Sequence, residues 1–263
     1  MKITRSSKTS LTFLTEKKRQ ELDAIMDEYA RLVNFFIEMF WGNELTKKDL
    51  TKDITNLPTS WLSARMRQCT AREALGMVLG AKQSAQELEK EAVKPHHSGK
   101  KMILSAQIVA VEKSRNDFDY WLILTSIGNK IKICLPIKSH RHMNFFNDWK
   151  RSTTVVIHRE YVQFSFEKET GKKLTLGHHI GIDVGINKLL AISTGELYGN
   201  EVKTQINRIK GKQQGSKTYK AAKKTLSYYL HKTVKDYFQQ HDNLRLVVVE
   251  KLKNLKQGKK KTR

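Results

Sequence analysis

Two apolar, β-branched runs in the last third of the chain each meet a single carboxylate, and that repetition constrains the fold more than any other feature. The first, Ile180-Gly181-Ile182-Asp183-Val184-Gly185, is followed after a short turn by Leu189-Leu190-Ala191-Ile192-Ser193. Runs of this length and composition around a glycine-bounded turn read as a strand and a second strand antiparallel to it. The second, Leu244-Arg245-Leu246-Val247-Val248-Val249-Glu250, is nearly continuous in Leu and Val, the pattern of a strand covered on both faces in the middle of a mixed sheet. A carboxylate inside an apolar strand is costly to bury without a compensating charge. Asp183 therefore has two readings, a ligand to a divalent metal or a cap on the turn that the flanking glycines permit. If the two strands are neighbours, Asp183 and Glu250 converge. Paired hard oxygen ligands select Mg²⁺ or Mn²⁺ over zinc. Two such ions about 3.5–4 Å apart clamp the attacking and leaving oxygens of a phosphodiester.

Charge points the same way. The chain carries 49 Lys and Arg against 26 Asp and Glu, a net +23 over 263 residues, so its default partner is a polyanion. The excess is uneven: residues 1–50 are nearly neutral, whereas 201–263 hold 18 basic and 4 acidic residues. No lipidation motif accompanies the basic segment and no apolar run approaches the roughly 20 residues of a membrane span, which favours nucleic acid over a membrane. Cys69 and Cys134 stand alone, with no CxxC pair, so no zinc site is expected within this chain. The two thiols, and an N-terminus without a secretory apolar region, suggest a reducing, cytoplasmic setting.

Along the chain, residues 1–15 read as a strand-like lead ending in Thr15 as a helix N-cap. Leu22, Ile25, Met26, Tyr29, Leu32, Val33, Phe36, Ile37 and Phe40 then recur at three- and four-residue spacing, an amphipathic helix of several turns. A second helix is expected over 61–93, ended by Pro95-His96-His97-Ser98-Gly99; the two histidines lack a third ligand nearby and are read as loop residues. Five strands follow, at 103–111, 120–127, 130–137, 153–158 and 161–166. A hairpin turn at Ser126-Ile127-Gly128-Asn129 and a tight turn at Arg159-Glu160 separate two pairs of them, and a short helix is expected over 139–149. These strands suggest a small barrel that the N-terminal strand joins, with the helices inserted. Lys138, His140, Arg141 and His142 cluster at the short helix, where cations suit phosphate contacts. Residues 217–241 form a last helix whose apolar stripe is Leu226, Tyr229, Leu230, Val234, Tyr237 and Phe238. Its first turns carry Lys217, Lys220, Lys223 and Lys224, and Lys210 and Lys212 lie just upstream.

Taken together, these residues resemble a family. Gly181-Ile182-Asp183-Val184-Gly185-Ile186-Asn187-Lys188 with Ala191-Ile192-Ser193-Thr194-Gly195 is similar to the first RuvC motif of the TnpB/OrfB proteins of insertion sequences, relatives of miniature type V CRISPR nucleases. The Gln214-to-Lys224 segment resembles that family's basic Gly-Ser-Lys stretch, the residues from Val247 to Leu255 its second RuvC motif, and Arg141-His142 its wedge region. The resemblance implies a wedge-type β-barrel (1–15 and 100–170) with an inserted helical recognition lobe (16–99). A partial RuvC, RNase H-like mixed α/β domain (171–263) would follow, an α+β and α/β multidomain chain. It implies a guide RNA and target DNA as partners and metal-dependent DNA cleavage in a prokaryotic cell. Asp183 and Glu250 would be the first two catalytic and metal-binding acids, and Arg141, His142, Lys210, Lys212, Lys217, Lys220, Lys223 and Lys224 would contact nucleic acid. The family's third acid, terminal helix and zinc ribbon have no counterpart up to Arg263. The expectation is therefore a nuclease completed by a further C-terminal segment or second chain, or alternatively a nuclease-dead RNA- or DNA-binding regulator. Gly-Ile-Asp-Val-Gly also opens phosphate-binding hairpins in actin- and sugar-kinase-like ATPases. Those usually continue with hydroxyl residues, whereas Ile186-Asn187 follows here and no second phosphate loop is visible.

Overall fold

The computed structural model describes residues 2–43, 46–126, 131–171 and 174–250. The chain divides into two compact units, Met1–Thr170 and Gly171–Arg263, and is mixed α/β. Among the described residues, no helix is long and apolar enough to cross a membrane. The Ile127–Asn129 part of the expected hairpin turn, and the basic tail and motif residues after Glu250, lie outside the described residues.

In the first unit the long apolar stripe becomes α1 (Glu16–Trp41), and every stripe residue from Leu22 to Phe40 named above is buried. Each such side chain contributes roughly 1.5–3 kcal/mol by leaving water. Thr15 stands at the N-cap, but its side chain makes no capping bond. A short helix, α2 (Lys52–Asn56), precedes α3 (Ala64–Glu87). Ser63 caps α3 by accepting the Met66 N–H at 3.3 Å, and the buried small residues Ala71 and Ala74 let α3 lie close against α1.

The strands of this unit form two antiparallel sheets. One has the order β1-β7-β6-β2, from β1 (Lys2–Ser10), β7 (Tyr161–Glu169), β6 (Lys150–His158) and β2 (Lys101–Leu104). The other is β3-β4-β5, from β3 (Val109–Lys113), β4 (Tyr120–Thr125) and β5 (Lys132–Ile137). The single closed barrel is thereby corrected: among the described residues no ladder joins the two sheets. The chain changes sheet at Ser105, whose carbonyl accepts the N–H groups of Ile108 and Val109 at 3.0 and 3.2 Å. That turn splits the apolar run 103–111 into two strands. Both sheets and the helices α1 and α3 share one hydrophobic core.

A buried polar cluster ties that core together. The Tyr29 hydroxyl donates to Glu73 Oε2 at 2.8 Å and accepts the Ile103 N–H at 3.3 Å. His97 Nε2 and Lys101 Nζ lie 3.5 and 3.4 Å from Glu73 Oε1. The Gly99 N–H donates to His97 Nδ1, which leaves the proton on Nε2, facing the carboxylate. His97 is thus a core residue that anchors the loop after α3.

The second unit is one four-stranded sheet, β10-β9-β8-β11, with helices on one face. Its strands are β8 (His178–Val184), β9 (Leu190–Ile192), β10 (Leu197–Tyr198) and β11 (Leu244–Val249). β8 pairs antiparallel with β9 and parallel with β11. Ile180, Ile182, Leu190 and Ile192 pack with Val202 of α5 (Val202–Lys210) and with Leu226, Tyr229, Leu230, Val234 and Tyr237 of α6 (Lys217–Gln240). Phe238, expected in that stripe, is 42% exposed.

β11 departs from its sequence reading. It is an edge strand in the described structure, paired only with β8, and Leu246, Val248 and Val249 are about half exposed while Leu244 and Val247 pack inward. A continuous apolar run marks a strand but not how many of its faces are covered.

Candidate metal and nucleic-acid sites

Strand alternation decides which side chains face away from α5 and α6. Ile180 and Ile182 of β8 point to the helices, so Gly181 and Asp183 face the other side. The same parity places Ala191, Ser193, Val248 and Glu250 there, and these six residues line one open depression. Its floor is held by reciprocal bonds: Ser193 N–H donates to the Gly181 carbonyl at 2.9 Å, and Gly181 N–H donates to Ser193 Oγ at 3.0 Å.

Register brings the two acids to one end. Val249 pairs with Ile182 in the parallel ladder, and Glu250 and Asp183 are the next residues along each strand. Asp183 sits opposite Ala191 within the β8–β9 ladder. The turn beyond it is closed by the Gly185 N–H donating to the Leu189 carbonyl at 3.3 Å, not by a carboxylate. That geometry does not support the turn-cap reading. Asp183 is exposed, so the burial penalty expected of an acid in an apolar strand does not arise. Exposed carboxylates at one end of two adjacent strands suit a hard divalent cation such as Mg²⁺ or Mn²⁺, which retains several waters. Among the described residues no group of three or more His, Cys, Asp or Glu converges.

The lysines expected to contact nucleic acid in this unit lie on or beside its helices. Lys210 closes α5 and Lys212 follows it; Lys217, Lys220, Lys223 and Lys224 occupy the first turns of α6, and all six are exposed. Ser216 caps α6 by accepting the Tyr219 N–H at 3.1 Å.

Arg141 and His142 belong to the first unit. The expected helix over 139–149 is reduced to one turn, α4 (Arg141–Asn144). Arg141 and His142 are both exposed, but the ring of His142 is engaged, its Nδ1 3.0 Å from the buried Ser7 Oγ and its plane perpendicular to the Phe146 ring in a T-shaped contact. His140 Nε2 likewise meets the Lys8 carbonyl at 2.8 Å. These two histidines hold α4 on β1.

Sequence reasoning missed Ser193, which supports the depression, and Tyr228, which stands 69% exposed beside the lysines of α6. Only the position of Tyr228, one turn after Lys224 and off the apolar stripe, signalled it. Comparison with protein-family models and with curated proteins finds no match for this chain.

Proposed function

We propose that the chain is a nucleic-acid-binding protein whose second unit carries a RuvC-like site for metal-dependent cleavage of DNA. One observation carries the reading: Asp183 and Glu250 follow paired residues of adjacent parallel strands and line one depression on the sheet face that α5 and α6 leave open. Asp183 and Glu250 would hold Mg²⁺ or Mn²⁺, and the cation would supply Lewis acidity toward a phosphodiester and stabilise its developing negative charge. The protein's part is to keep both acids at one strand end and to gather the polyanion with the exposed lysines of α5 and α6. Guide RNA and target DNA are the partners that the sequence resemblance suggests, within a prokaryotic cytoplasm.

A second reading is a nuclease-dead RNA- or DNA-binding regulator. It is favoured by the exposed lysines of α5 and α6, which can hold a polyanion without any metal. The deciding experiment supplies the chain with the C-terminal segment that the resemblance implies and measures Mg²⁺-dependent cleavage of guided DNA. Cleavage abolished by Asp183→Ala and by Glu250→Ala supports the nuclease. Cleavage that survives both substitutions rejects the site, and binding without cleavage leaves the regulator.

A further inference from the structure

The solvent-facing side of α6 is built differently from an ordinary charged helix surface. Lys220, Lys223, Lys224, Ser227, Tyr228 and His231 line one concave strip. Their spacing of i, i+3, i+4, i+7, i+8 and i+11 is that of a single helix face. A separate stripe of the same helix, Leu226, Tyr229, Leu230, Val234 and Tyr237, covers the sheet. Between Lys217 and Lys235 the helix carries six lysines and no acid.

Tyr228 is the unusual member. Tyr229 and Tyr237 pack into the core, and the Tyr229 hydroxyl accepts the Glu201 N–H at 3.1 Å, whereas Tyr228 leaves 69% of its surface in water. The fold makes little use of that ring. Lys224 lies one helical turn before it and His231 about one turn after, each about 5–6 Å away between Cβ atoms. Phosphate contacts alone require no aromatic. A ring beside lysines at that spacing matches how unpaired bases are held, with the base stacked on the aromatic and the flanking phosphates on lysine.

We infer that this face of α6 is a stacking platform for single-stranded nucleic acid, with Tyr228 taking a base and Lys220 and Lys224 the adjoining phosphates. The inference rests on the nucleic-acid reading above and specifies which form of the polymer α6 holds.

The test uses the full chain in EDTA, so that the carboxylate site plays no part. Fluorescence anisotropy follows a labelled thymidine 12-mer, a duplex of equal length, and phosphatidylserine vesicles as a competitor. Tyr228→Ala should weaken single-strand binding about ten-fold, leave duplex binding within about two-fold, and leave the melting temperature unchanged; Tyr228→Phe should bind as wild type. The Lys220→Ala/Lys224→Ala double variant should flatten the salt dependence on both polymers. The inference fails if Tyr228→Ala binds the 12-mer like wild type, if it loses both polymers equally, or if vesicles displace the 12-mer while the duplex does not. A Tyr228 effect, together with no Mg²⁺-dependent cleavage by the chain supplied with the C-terminal segment, would overturn the nuclease reading and leave the platform standing.

Discussion

Val249 of β11 lies opposite Ile182 of β8 in a parallel ladder, and this single register carries Glu250 and Asp183 to the same end of the sheet. A shift of one residue would turn one acid toward the helices, because strand side chains alternate faces. The pairing of two apolar residues thus sets the position of two charged ones.

If that end holds a divalent cation, the cation should stabilise the folded second unit. A ligand bound only by the native state adds RT ln(1 + [L]/Kd), about 2.7 kcal/mol at a hundred times Kd. Thermal unfolding with increasing Mn²⁺ should show a rising midpoint in the wild type, and Asp183→Asn or Glu250→Gln should each remove most of the rise. Equal rises in all three proteins would place the cation elsewhere.

The cluster around Glu73 makes the first unit sensitive to acid. Burial raises the Glu73 carboxyl, but the opposing effects of His97, Tyr29 and Lys101 together hold it below its ordinary 4.5. Burial, then the Glu73 charge, pushes the Tyr29 phenol well above its ordinary value, so it remains a donor. A carboxyl lowered on folding stabilises the protein above its unfolded value, and that stabilisation is lost as pH falls through the folded one. Glu73→Gln should lower stability by about 1–3 kcal/mol near neutral pH. Urea unfolding should show the gap to wild type closing as pH falls through and below the ordinary carboxylate range. A gap of constant size would mean that the Glu73 charge contributes nothing.

In the second unit Gly199 occupies a position that other residues fill only with strain. Its φ is +74°, and an added Cβ would collide with Leu189 Cβ. Gly199→Ala should therefore destabilise this unit by about 2–4 kcal/mol, combining the left-handed backbone penalty with overpacking. Chemical unfolding followed through Tyr237 and its neighbours would reveal it. An unchanged midpoint would show that the turn relaxes freely.

How much of this was legible depended on whether the deciding contact was local. The stripe from Leu22 to Phe40 marked α1 because helical period and burial coincide there. The two strands ending near Asp183 and Glu250 were legible from composition, and their adjacency followed as one option among sheet orders. The exposure of Val248 was not legible, since the number of covered faces depends on neighbours distant in sequence. The split at Ser105 was hidden because Ser105-Ala106-Gln107 carries neither glycine nor proline to break the apolar run. His142 read as a free cation because nothing nearby in sequence announces Ser7 as its partner.

The pairing of β1 with β7, Lys2 opposite Glu169 through Ser10 opposite Tyr161, also has a meaning in time. At about 5–20 residues per second of synthesis, β1 waits on the order of ten to thirty seconds before its partner exists. An unpaired strand is an invitation to aggregation when it is apolar and uncharged. β1 reads Lys-Ile-Thr-Arg-Ser-Ser-Lys-Thr-Ser, with three cations and a single large apolar residue. The nascent chain can therefore expose its first strand for that interval with little risk, and close the sheet once β7 has emerged.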